Sequence, residues 1–460
     1  MYDNQNATFF VSTVHGLEQE LADEISELAQ DLGIQLTENP VVASAGVYVR
    51  GPWGLCLAMN LGLRCASRVL CEVLEADVRS LEDVYNAVLN LKWESLFPLE
   101  MTFSVQSSSS DAAIKSNALN LKIKDAVADS FKREFGRRPS VDKDSPQVRI
   151  MARVHRGLLS VSLDTTGVPL ALRGYRTANH DAPLSELLGA ALLRMTGWHK
   201  LCRELRNENP EKAYFSRVEP IAKRTEDSPE AGHLSASGVK RRIPEAIVLS
   251  PDLIDPMCGT GTFAIEAALQ LLNRRPQLER ASFAYENLSV IPAGVLKQED
   301  RIRRSLRSQE LSLLDAFRKV AQYKREALGQ KDVSDAVLPF LICRDTDSTA
   351  LAAAKKNAEK AGVSKFIHFE KGNVVDLQVN STSGVIVMNP PYGVRLGEEE
   401  QLKGLYKDIG DALKQRCKGW QAWILAGSTE LGGSVGLRPT RRKKVYNGGI
   451  ECLWLQYVLF

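Results

Sequence analysis

The sequence has no pair of cysteines in a CxxC arrangement, and its eight cysteines and six histidines show no spacing typical of metal ligands. Residues 1–7 carry no signal-peptide pattern, and no run of 18 apolar residues is present. We therefore expect buried, reduced thiols in a cytoplasmic protein without a metal site or a membrane span. The hydrophobic content of 44% and the charged content of 25% are typical of globular proteins, and 460 residues suffice for two or three domains.

The charge is unevenly distributed, although the net charge of +3 is small. Residues 1–111 contain 5 Lys+Arg against 16 Asp+Glu, whereas residues 112–156 contain 11 against 5. A local excess of cations within an acidic region is a candidate anion-binding surface. A solvated helix face with scattered cations is an equally good explanation of this stretch.

Short strand and helix patterns alternate over the first 165 residues. The predicted strands are 8–14, 41–50, 101–107, 147–154 and 158–165, and the predicted helices are 16–32, 80–91 and 117–135. The pattern indicates an α+β region, with a ferredoxin-like part at 1–65 and a second module at 66–168.

A glycine-rich turn follows a short apolar stretch in the second half of the chain, at residues 255–262. Gly259 and Gly261 allow close approach of a ligand to the backbone, and the following helix N-terminus favours a negatively charged group. The G-x-G-x-x-G pattern of dinucleotide sites is absent. After the glycine-rich turn and its helix, the second strand of this region should end in an acidic residue. Asp345 and Glu286 are the two candidates. We choose Asp345, because it ends an apolar run and a helix follows it at once.

The stretch Asn389-Pro390-Pro391-Tyr392 ends a second apolar run, 384–388. Adjacent prolines have a fixed φ and no N–H group, so the strand must end in a rigid turn. Such a turn lies where an open α/β sheet places its ligand crevice. The Asn389 side chain and the Pro390 carbonyl can hold an –NH2 group, and Tyr392 offers a flat face for stacking. A turn that merely ends a buried strand is the alternative.

These two stretches together resemble the class I methyltransferases that use S-adenosylmethionine. Residues 255–262 resemble their first motif, and residues 389–392 resemble the catalytic motif of members that act on planar exocyclic amines. The resemblance implies a Rossmann-like α/β domain with a mixed seven-stranded sheet at 169–460, with insertions near 199–242 and 273–336. It implies that S-adenosylmethionine is held by Asp255, Pro256, Cys258, Gly259, Gly261, Thr262, Asp345 and Asn373. The sequence departs from the family at Asn373, where relatives commonly have Asp, and at Leu187, where they usually have Asn.

The basic stretch in the first third resembles a THUMP domain, an RNA-binding module, on the basis of residues 122–127 and 138–142. Lysine and arginine contacts to phosphates would position RNA without reading its sequence. The expected contacts in this module are Lys115, Lys122, Lys124, Arg137 and Arg138. Further expected contacts are Arg395, after the catalytic motif, and Arg441 and Arg442, in a run of cations before a predicted final hairpin.

Over its whole length the chain resembles the bacterial large-subunit ribosomal RNA guanine-N2 methyltransferases. This resemblance implies methylation of the N2 amine of a guanosine in RNA, preferably ribosomal RNA, with Asn389, Pro390, Pro391 and Tyr392 as catalytic residues. Other readings stay open: a transfer RNA guanine-N2 methyltransferase, an adenine-N6 or protein glutamine methyltransferase, or an RNA-binding or assembly protein whose transferase site has decayed.

Overall fold

The computed structural model describes residues 6–111, 114–177, 184–207, 253–328, 341–379, 383–392 and 399–460. The chain divides into two compact units, one formed by Met1–Leu172 with Arg275–Ser305 and the other by Arg173–Arg274 with Leu306–Phe460. All eight cysteines are buried, and none forms a disulfide bond. In the described ranges, no helix is long and apolar enough to cross a membrane, and no cluster of three or more His, Cys, Asp or Glu could hold a metal ion.

The first unit is built on one seven-stranded sheet with the strand order β2-β3-β1-β4-β7-β6-β5. Its strands are β1 (Asn6–Ser12), β2 (Val41–Ala43), β3 (Gly46–Pro52), β4 (Arg68–Asp77), β5 (Phe103–Ser109), β6 (Val148–His155) and β7 (Leu158–Asp164). Its helices are α1 (Glu18–Leu32), α2 (Trp53–Gly62), α3 (Leu81–Leu89) and α4 (Ser116–Phe135). All neighbouring strands are antiparallel except β5 and β6, which are parallel. The predicted α+β fold of this region is confirmed.

Alternation along the strands explains how this sheet buries one of its faces. Phe9 and Val11 in β1 are fully buried, as is Val47 in the neighbouring β3, whereas Phe10 lies on the opposite face and is only half-buried. Successive strand side chains point to opposite faces, so this pattern gives one apolar side.

The pairing of Phe10 with Leu70 crosses the predicted domain boundary at residue 65, so the sheet is continuous there. The boundary itself stays a prediction.

The segment Arg275–Ser305 packs in the first unit, although the sequence analysis counted it among the insertions of the second domain. Its apolar side chains Phe283 and Tyr285 are buried. Arg280 donates to the carbonyls of Thr166 and Val168 and lies 4.4 Å from the centre of the Phe283 ring. These contacts with residues just after β7 explain the position of the segment, and they join parts of the chain more than 100 residues apart.

The second unit has a mixed seven-stranded sheet with the order β10-β9-β8-β11-β12-β14-β13, which confirms the predicted Rossmann-like fold. Its strands are β8 (Leu253–Asp255), β9 (Leu341–Asp345), β10 (Ile367–Lys371), β11 (Val385–Met388), β12 (Gln421–Ala426), β13 (Arg441–Asn447) and β14 (Ile450–Val458). The strands from β10 to β12 are parallel, and β14 is antiparallel to both of its neighbours. The carboxyl ends of the parallel strands therefore meet at one edge, where open α/β sheets bind ligands.

The remaining helices follow in chain order. They are α5 (Glu186–Met195), α6 (Trp198–Asn207), α7 (Thr262–Leu271), α8 (Ala293–Leu296), α9 (Glu299–Leu328), α10 (Ser348–Lys360), α11 (Glu399–Arg416) and α12 (Thr429–Ser434). Helix α8 belongs to the first unit, and the division between the units falls within α9.

Candidate active site

The glycine-rich turn connects the carboxyl end of β8 to the start of α7. Gly261, just before α7, has a φ of +84°, and a Cβ there would lie 3.0 Å from the Cβ of Ala354. The Cys258 N–H donates to the Arg344 carbonyl at 3.0 Å, and the Gly261 N–H donates to the Cys258 carbonyl at 2.8 Å. The turn is therefore held against the end of β9, and only glycine fits at Gly261 without strain.

Asp345 ends β9 directly beside this turn. Its carboxylate accepts from the Gly259 N–H at 2.8 Å and from the Asp347 N–H at 2.9 Å. The competing acid, Glu286, lies in a short 3₁₀ helix of the first unit, and its carboxylate accepts from the Phe283 N–H at 2.7 Å. Of the two acids, Asp345 is the one that the structure brings to the glycine-rich turn.

Asp255 and Cys258 are buried within the same turn. The Asp255 carboxylate accepts from the Met257 N–H at 3.3 Å. Burial, reinforced by the negative charge of Asp345, raises the pKa of Asp255 well above its usual range. The interaction with the thiol of Cys343, together with burial, raises the pKa of Cys258 well above that of a free thiol. A protonated buried thiol is a poor nucleophile, which argues against a nucleophilic role for Cys258.

The turn has one open position and spare hydrogen-bonding capacity among the residues predicted to hold S-adenosylmethionine. A Cβ added at Gly259 would meet no atom of the described residues within 4 Å, so the turn is open toward them at that position. Each oxygen of Asp345 accepts one backbone N–H, and a carboxylate offers about four acceptor positions, enough for ribose hydroxyls as well. Two other residues predicted to contact the cofactor are surrounded by the protein itself. Pro256 is buried, and the Thr262 hydroxyl lies 3.3 Å from an Arg176 nitrogen and 3.4 Å from the Leu184 carbonyl.

The two departures from the family pattern lie in different surroundings. Asn373 is exposed after β10, and its side-chain oxygen accepts from the Val375 N–H at 3.2 Å, which caps a short 3₁₀ helix. The Gly372 N–H donates to the Asp345 carbonyl at 3.0 Å, so Asn373 follows directly after a residue bonded to Asp345, which lies beside the glycine-rich turn. A carbonyl oxygen retains a second lone pair for an adenine amine. Leu187 is buried in α5 and supplies no polar contact.

Asn357 in α10 is a residue of the site that the sequence analysis missed. It is buried, and its amide nitrogen donates to the Thr260 carbonyl in the turn at 3.1 Å. Its oxygen accepts from the backbone N–H and the hydroxyl of Thr177, both at 2.9 Å. Asn357 occupies the same helix face as the buried Ala350 and Ala354. A lone polar residue on an apolar helix face was the available signal.

The motif at 389–392 begins at the carboxyl end of β11, next to β8. Ile386 lies opposite Ile254 in these parallel strands, so Asn389 lies at the same sheet edge as the glycine-rich turn. Its side-chain oxygen is buried and has no hydrogen-bond partner in the part of the chain that the structure describes. Pro390 is buried, whereas Pro391 is exposed. An unused hydrogen-bond acceptor therefore lies at the same sheet edge as the glycine-rich turn.

Tyr392 is half-buried and held at both ends of its side chain. Its hydroxyl accepts from the Asn447 side-chain amide at 2.7 Å. At its other end it packs on Gly427, where a Cβ would lie only 2.6 Å from the Cβ of Tyr392. Burial raises the pKa of Tyr392, so its hydroxyl stays neutral at ordinary pH. The ring is therefore a fixed, uncharged surface beside Asn389.

The predicted RNA contacts differ in their pairing and lie in both units. Lys115 and Arg137 are exposed in the first unit, and neither has an ion-pair partner among the residues that the structure describes. The other three are paired: Lys122 with Glu82 at 3.1 Å, Lys124 with Asp125 at 3.0 Å, and Arg138 with Asp129. In the second unit, Arg441 and Arg442 are exposed on the edge strand β13. Arg395 lies outside the described residues.

Comparisons with known proteins match three successive parts of the chain. Residues 8–70 match the RlmL ferredoxin-like domain, residues 78–164 match the THUMP domain, and residues 250–456 match the RMKL-like methyltransferase domain. A candidate RNA methyltransferase of Synechocystis is 30% identical to the chain, and the match covers 98% of this chain and 97% of that protein.

Longer relatives and solved structures extend these matches. The ribosomal RNA large subunit methyltransferase K/L of Syntrophotalea carbinolica is 31% identical over 98% of this chain and 53% of its own length. The chain thus spans about half the length of the K/L relatives that it matches. The crystal structure of SMU.472, a candidate methyltransferase complexed with SAH, matches with a TM-score of 0.70 and 23% identity over 99% of both chains. This last likeness supports the fold.

Proposed function

This chain belongs to the RMKL-like family of S-adenosylmethionine-dependent RNA methyltransferases, and from that premise we propose that it methylates the exocyclic N2 amine of a guanosine in RNA. We propose large-subunit ribosomal RNA as the preferred substrate. The observation that carries methyl transfer to an exocyclic amine is the buried side-chain oxygen of Asn389, which lacks a partner in the described part of the chain. The choice of the guanine N2 amine in ribosomal RNA rests on the resemblance to the ribosomal RNA methyltransferases.

An unpaired buried acceptor costs about 1–3 kcal/mol, and pairing with a bound ligand would recover that cost at Asn389. An exocyclic amine has two N–H groups. The Asn389 oxygen would accept one and the Pro390 carbonyl the other. The lone pair of the guanine N2 is delocalised into the ring, which makes the nitrogen a poor nucleophile. Accepting both hydrogens favours a pyramidal nitrogen, whose lone pair is then available for attack.

The residues of the glycine-rich turn and its neighbours would hold the cofactor. When bound, S-adenosylmethionine supplies an electrophilic methyl group on its sulfonium sulfur. The Asp345 carboxylate would accept hydrogen bonds from the ribose hydroxyls, and the open backbone at Gly259 would face the ligand. The free lone pair of the Asn373 side-chain oxygen would accept from the adenine amine.

Tyr392 would hold the substrate base after it leaves its stack in the RNA. A fixed aromatic ring offers a stacking surface at low cost in conformational entropy. Stacking would keep the amine in line with the methyl group, and positioning of this kind supplies most of the rate. Lys115, Arg137, Arg441 and Arg442 would contact phosphates, together with the paired cations of the first unit and Arg395.

The test uses purified protein, labelled S-adenosylmethionine and unmodified ribosomal RNA, followed by digestion to nucleosides and mass analysis. We expect N2-methylguanosine from the wild type. Asn389→Ala should lower its rate of formation by about 10²–10³-fold, the typical loss for one transition-state hydrogen bond, with unchanged cofactor affinity. The matched control Asn86→Ala, at an exposed asparagine of α3, should behave as the wild type.

Other products would identify a different function. Methyladenosine would replace guanosine by adenine N6 as the substrate, and methylation of transfer RNA alone would change the RNA class. In a parallel reaction with a protein in place of RNA, methylated glutamine, together with no methylated nucleoside from RNA, would replace RNA by protein as the substrate. Tight RNA binding without cofactor binding or methyl transfer would favour an RNA-binding or assembly protein.

A further inference from the structure

We propose that Asn447 is a positioning residue for the methyl-transfer reaction, and that it acts through the hydroxyl of Tyr392. Its side-chain amide donates to that hydroxyl at 2.7 Å and thereby fixes the direction of the Tyr392 ring. The inference rests on the proposed function, in which Tyr392 stacks on the substrate base.

The two anchors of Tyr392 act on different parts of the side chain. Near the backbone, Gly427 leaves room for the Cβ, Cγ and Cδ2 atoms of Tyr392, each of which would lie within 2.8 Å of a Cβ at position 427. At the far end, the hydroxyl lies on the axis of ring rotation. Rotation about χ1 moves the hydroxyl, so a hydrogen bond there restrains χ1. Rotation about the ring axis does not move the hydroxyl and is restrained by the packing against Gly427. The two anchors together therefore define where the ring lies.

The hairpin that carries Asn447 is itself well defined. Asn447 is the last residue of β13 and lies opposite Ile450 in β14. Only Gly448 and Gly449 connect the strands, and Gly448 has a φ of +62°, the left-handed conformation that a two-residue hairpin turn requires. Asn447 itself has no positive φ, so other residues can replace it without backbone strain. Its amide is thus presented to Tyr392 from a rigid support 55 residues away in the sequence.

A second group of the same hairpin lies next to the hydroxyl. The thiol of Cys452, on β14, donates to the Ile450 carbonyl at 3.7 Å, and besides burial its proximity contributes to the raised pKa of Tyr392. Cys452 is buried, and its side chain comes from the strand paired with β13. Asn447 differs from Cys452 because a side-chain amide is a strong donor and a thiol is a weak one. The orientation of Tyr392 should therefore depend mainly on Asn447.

The test is a double-mutant cycle in the full-length chain, measured as the kcat of methyl transfer to RNA. Asn447→Ala should lower kcat by roughly tenfold to a hundredfold, the range expected when a reacting group is misplaced by about 1 Å. The affinities for S-adenosylmethionine and for RNA should not change. In the Tyr392→Phe background, which lacks the accepting hydroxyl, Asn447→Ala should change kcat by less than about twofold, because the two residues act as a unit.

Two further variants separate positioning from a merely structural role. Asn447→Asp can accept a hydrogen bond from the Tyr392 hydroxyl, so it should recover part of the lost kcat. The control Tyr446→Phe removes a hydroxyl that lies 3.2 Å from the Glu451 carboxylate on the exposed side of the same hairpin. Its kcat should equal that of the wild type. Equal losses from Asn447→Ala in both backgrounds, or a loss that accompanies weaker cofactor binding, would overturn the proposal.

A readout without catalysis keeps this inference separate from the proposed function. In protein with ¹³C-labelled tyrosine, the Tyr392 ring signal is assigned by its absence from the Tyr392→Phe variant. Asn447→Ala should shift this signal and Tyr446→Phe should not. An unshifted signal would overturn the positioning role even in an active enzyme. The remaining case is a wild-type protein that transfers no methyl group but whose Tyr392 signal is shifted by Asn447→Ala. That result would support the orientation of Tyr392 by Asn447, and only the proposed function would fail.

Discussion

At the scale of single residues, asparagine amides join parts of the second unit that are distant in the sequence. An amide donates and accepts at the same time, so one side chain can bridge two segments. Asn357 bridges the Thr260 carbonyl in the cofactor turn and Thr177, in the segment before α5. Asn447 connects the final hairpin to Tyr392. Both residues lie outside the recognisable motifs, and both determine where motif residues lie.

Replacement of Asn357 should therefore affect cofactor binding as well as stability. Asn357→Ala leaves the Thr260 carbonyl and the Thr177 N–H without their partner, which should lower the free energy of unfolding by about 1–3 kcal/mol. The loosened turn should also bind S-adenosylmethionine more weakly. Denaturant unfolding and calorimetric titration measure the two effects. Lys356→Ala, at the exposed neighbouring position, is the control. Wild-type cofactor affinity in Asn357→Ala would show that this bridge does not shape the turn.

At the scale of elements, helix α11 contains two glycines in opposite surroundings. At Gly410 the helix approaches the residue just after α12 so closely that a Cβ would lie 1.8 Å from the Val435 carbonyl oxygen. At Gly404, on the same helix, a Cβ would meet no atom within 4 Å among the residues that the structure describes. Glycine weakens a helix interior, so its presence at Gly410 is explained by packing.

The same substitution at these two positions should therefore have opposite effects. Gly410→Ala should lower the free energy of unfolding by about 1–3 kcal/mol or more, because backbone must move to accept the methyl group. Gly404→Ala should raise it by up to about 1 kcal/mol through helix propensity. Urea unfolding of both variants measures the difference. Equal effects of the same sign would contradict the close contact between α11 and α12.

The elements that end at motif residues are those that the sequence predicts best. The strand ends at Asp255 and Asp345, and just before Asn389, follow from an apolar run that stops at a polar residue or a proline. The predicted helix 117–135 corresponds to α4 (Ser116–Phe135), which also follows from a local sequence pattern. The contact between Asn447 and Tyr392 could not be predicted in this way. It depends on the pairing of strands far apart in the chain, and no local pattern encodes it.

At the scale of the whole molecule, the cations proposed to bind RNA are distributed over both units. Neutralising one phosphate changes the slope of log affinity against log salt by about 0.7–0.9. Arg137 and Arg138 are adjacent and chemically identical, but only Arg138 has an acidic partner among the described residues, Asp129. An arginine already paired with a carboxylate gives up part of that interaction when it binds a phosphate.

Arg137→Ala should thus weaken RNA binding more than Arg138→Ala does. We expect the salt slope to fall by about 0.7–0.9 in Arg137→Ala and by less in Arg138→Ala, with unchanged cofactor affinity in both variants. Filter-binding titrations at several salt concentrations measure the slopes. An unchanged slope in Arg137→Ala would remove this residue from the RNA-binding surface.

The two-part construction of the first unit has a consequence for the order in which the protein folds during synthesis. Met1–Leu172 leaves the ribosome long before Arg275–Ser305, and the residues between them belong to the second unit. At synthesis rates of about 5–20 residues per second, the buried Phe283 and Tyr285 arrive roughly ten seconds after Leu172. Until then the Thr166 and Val168 carbonyls lack Arg280. The first unit therefore completes its core only after the glycine-rich turn of the second unit has been made, and a fragment cut at residue 172 would remain permanently at that earlier stage.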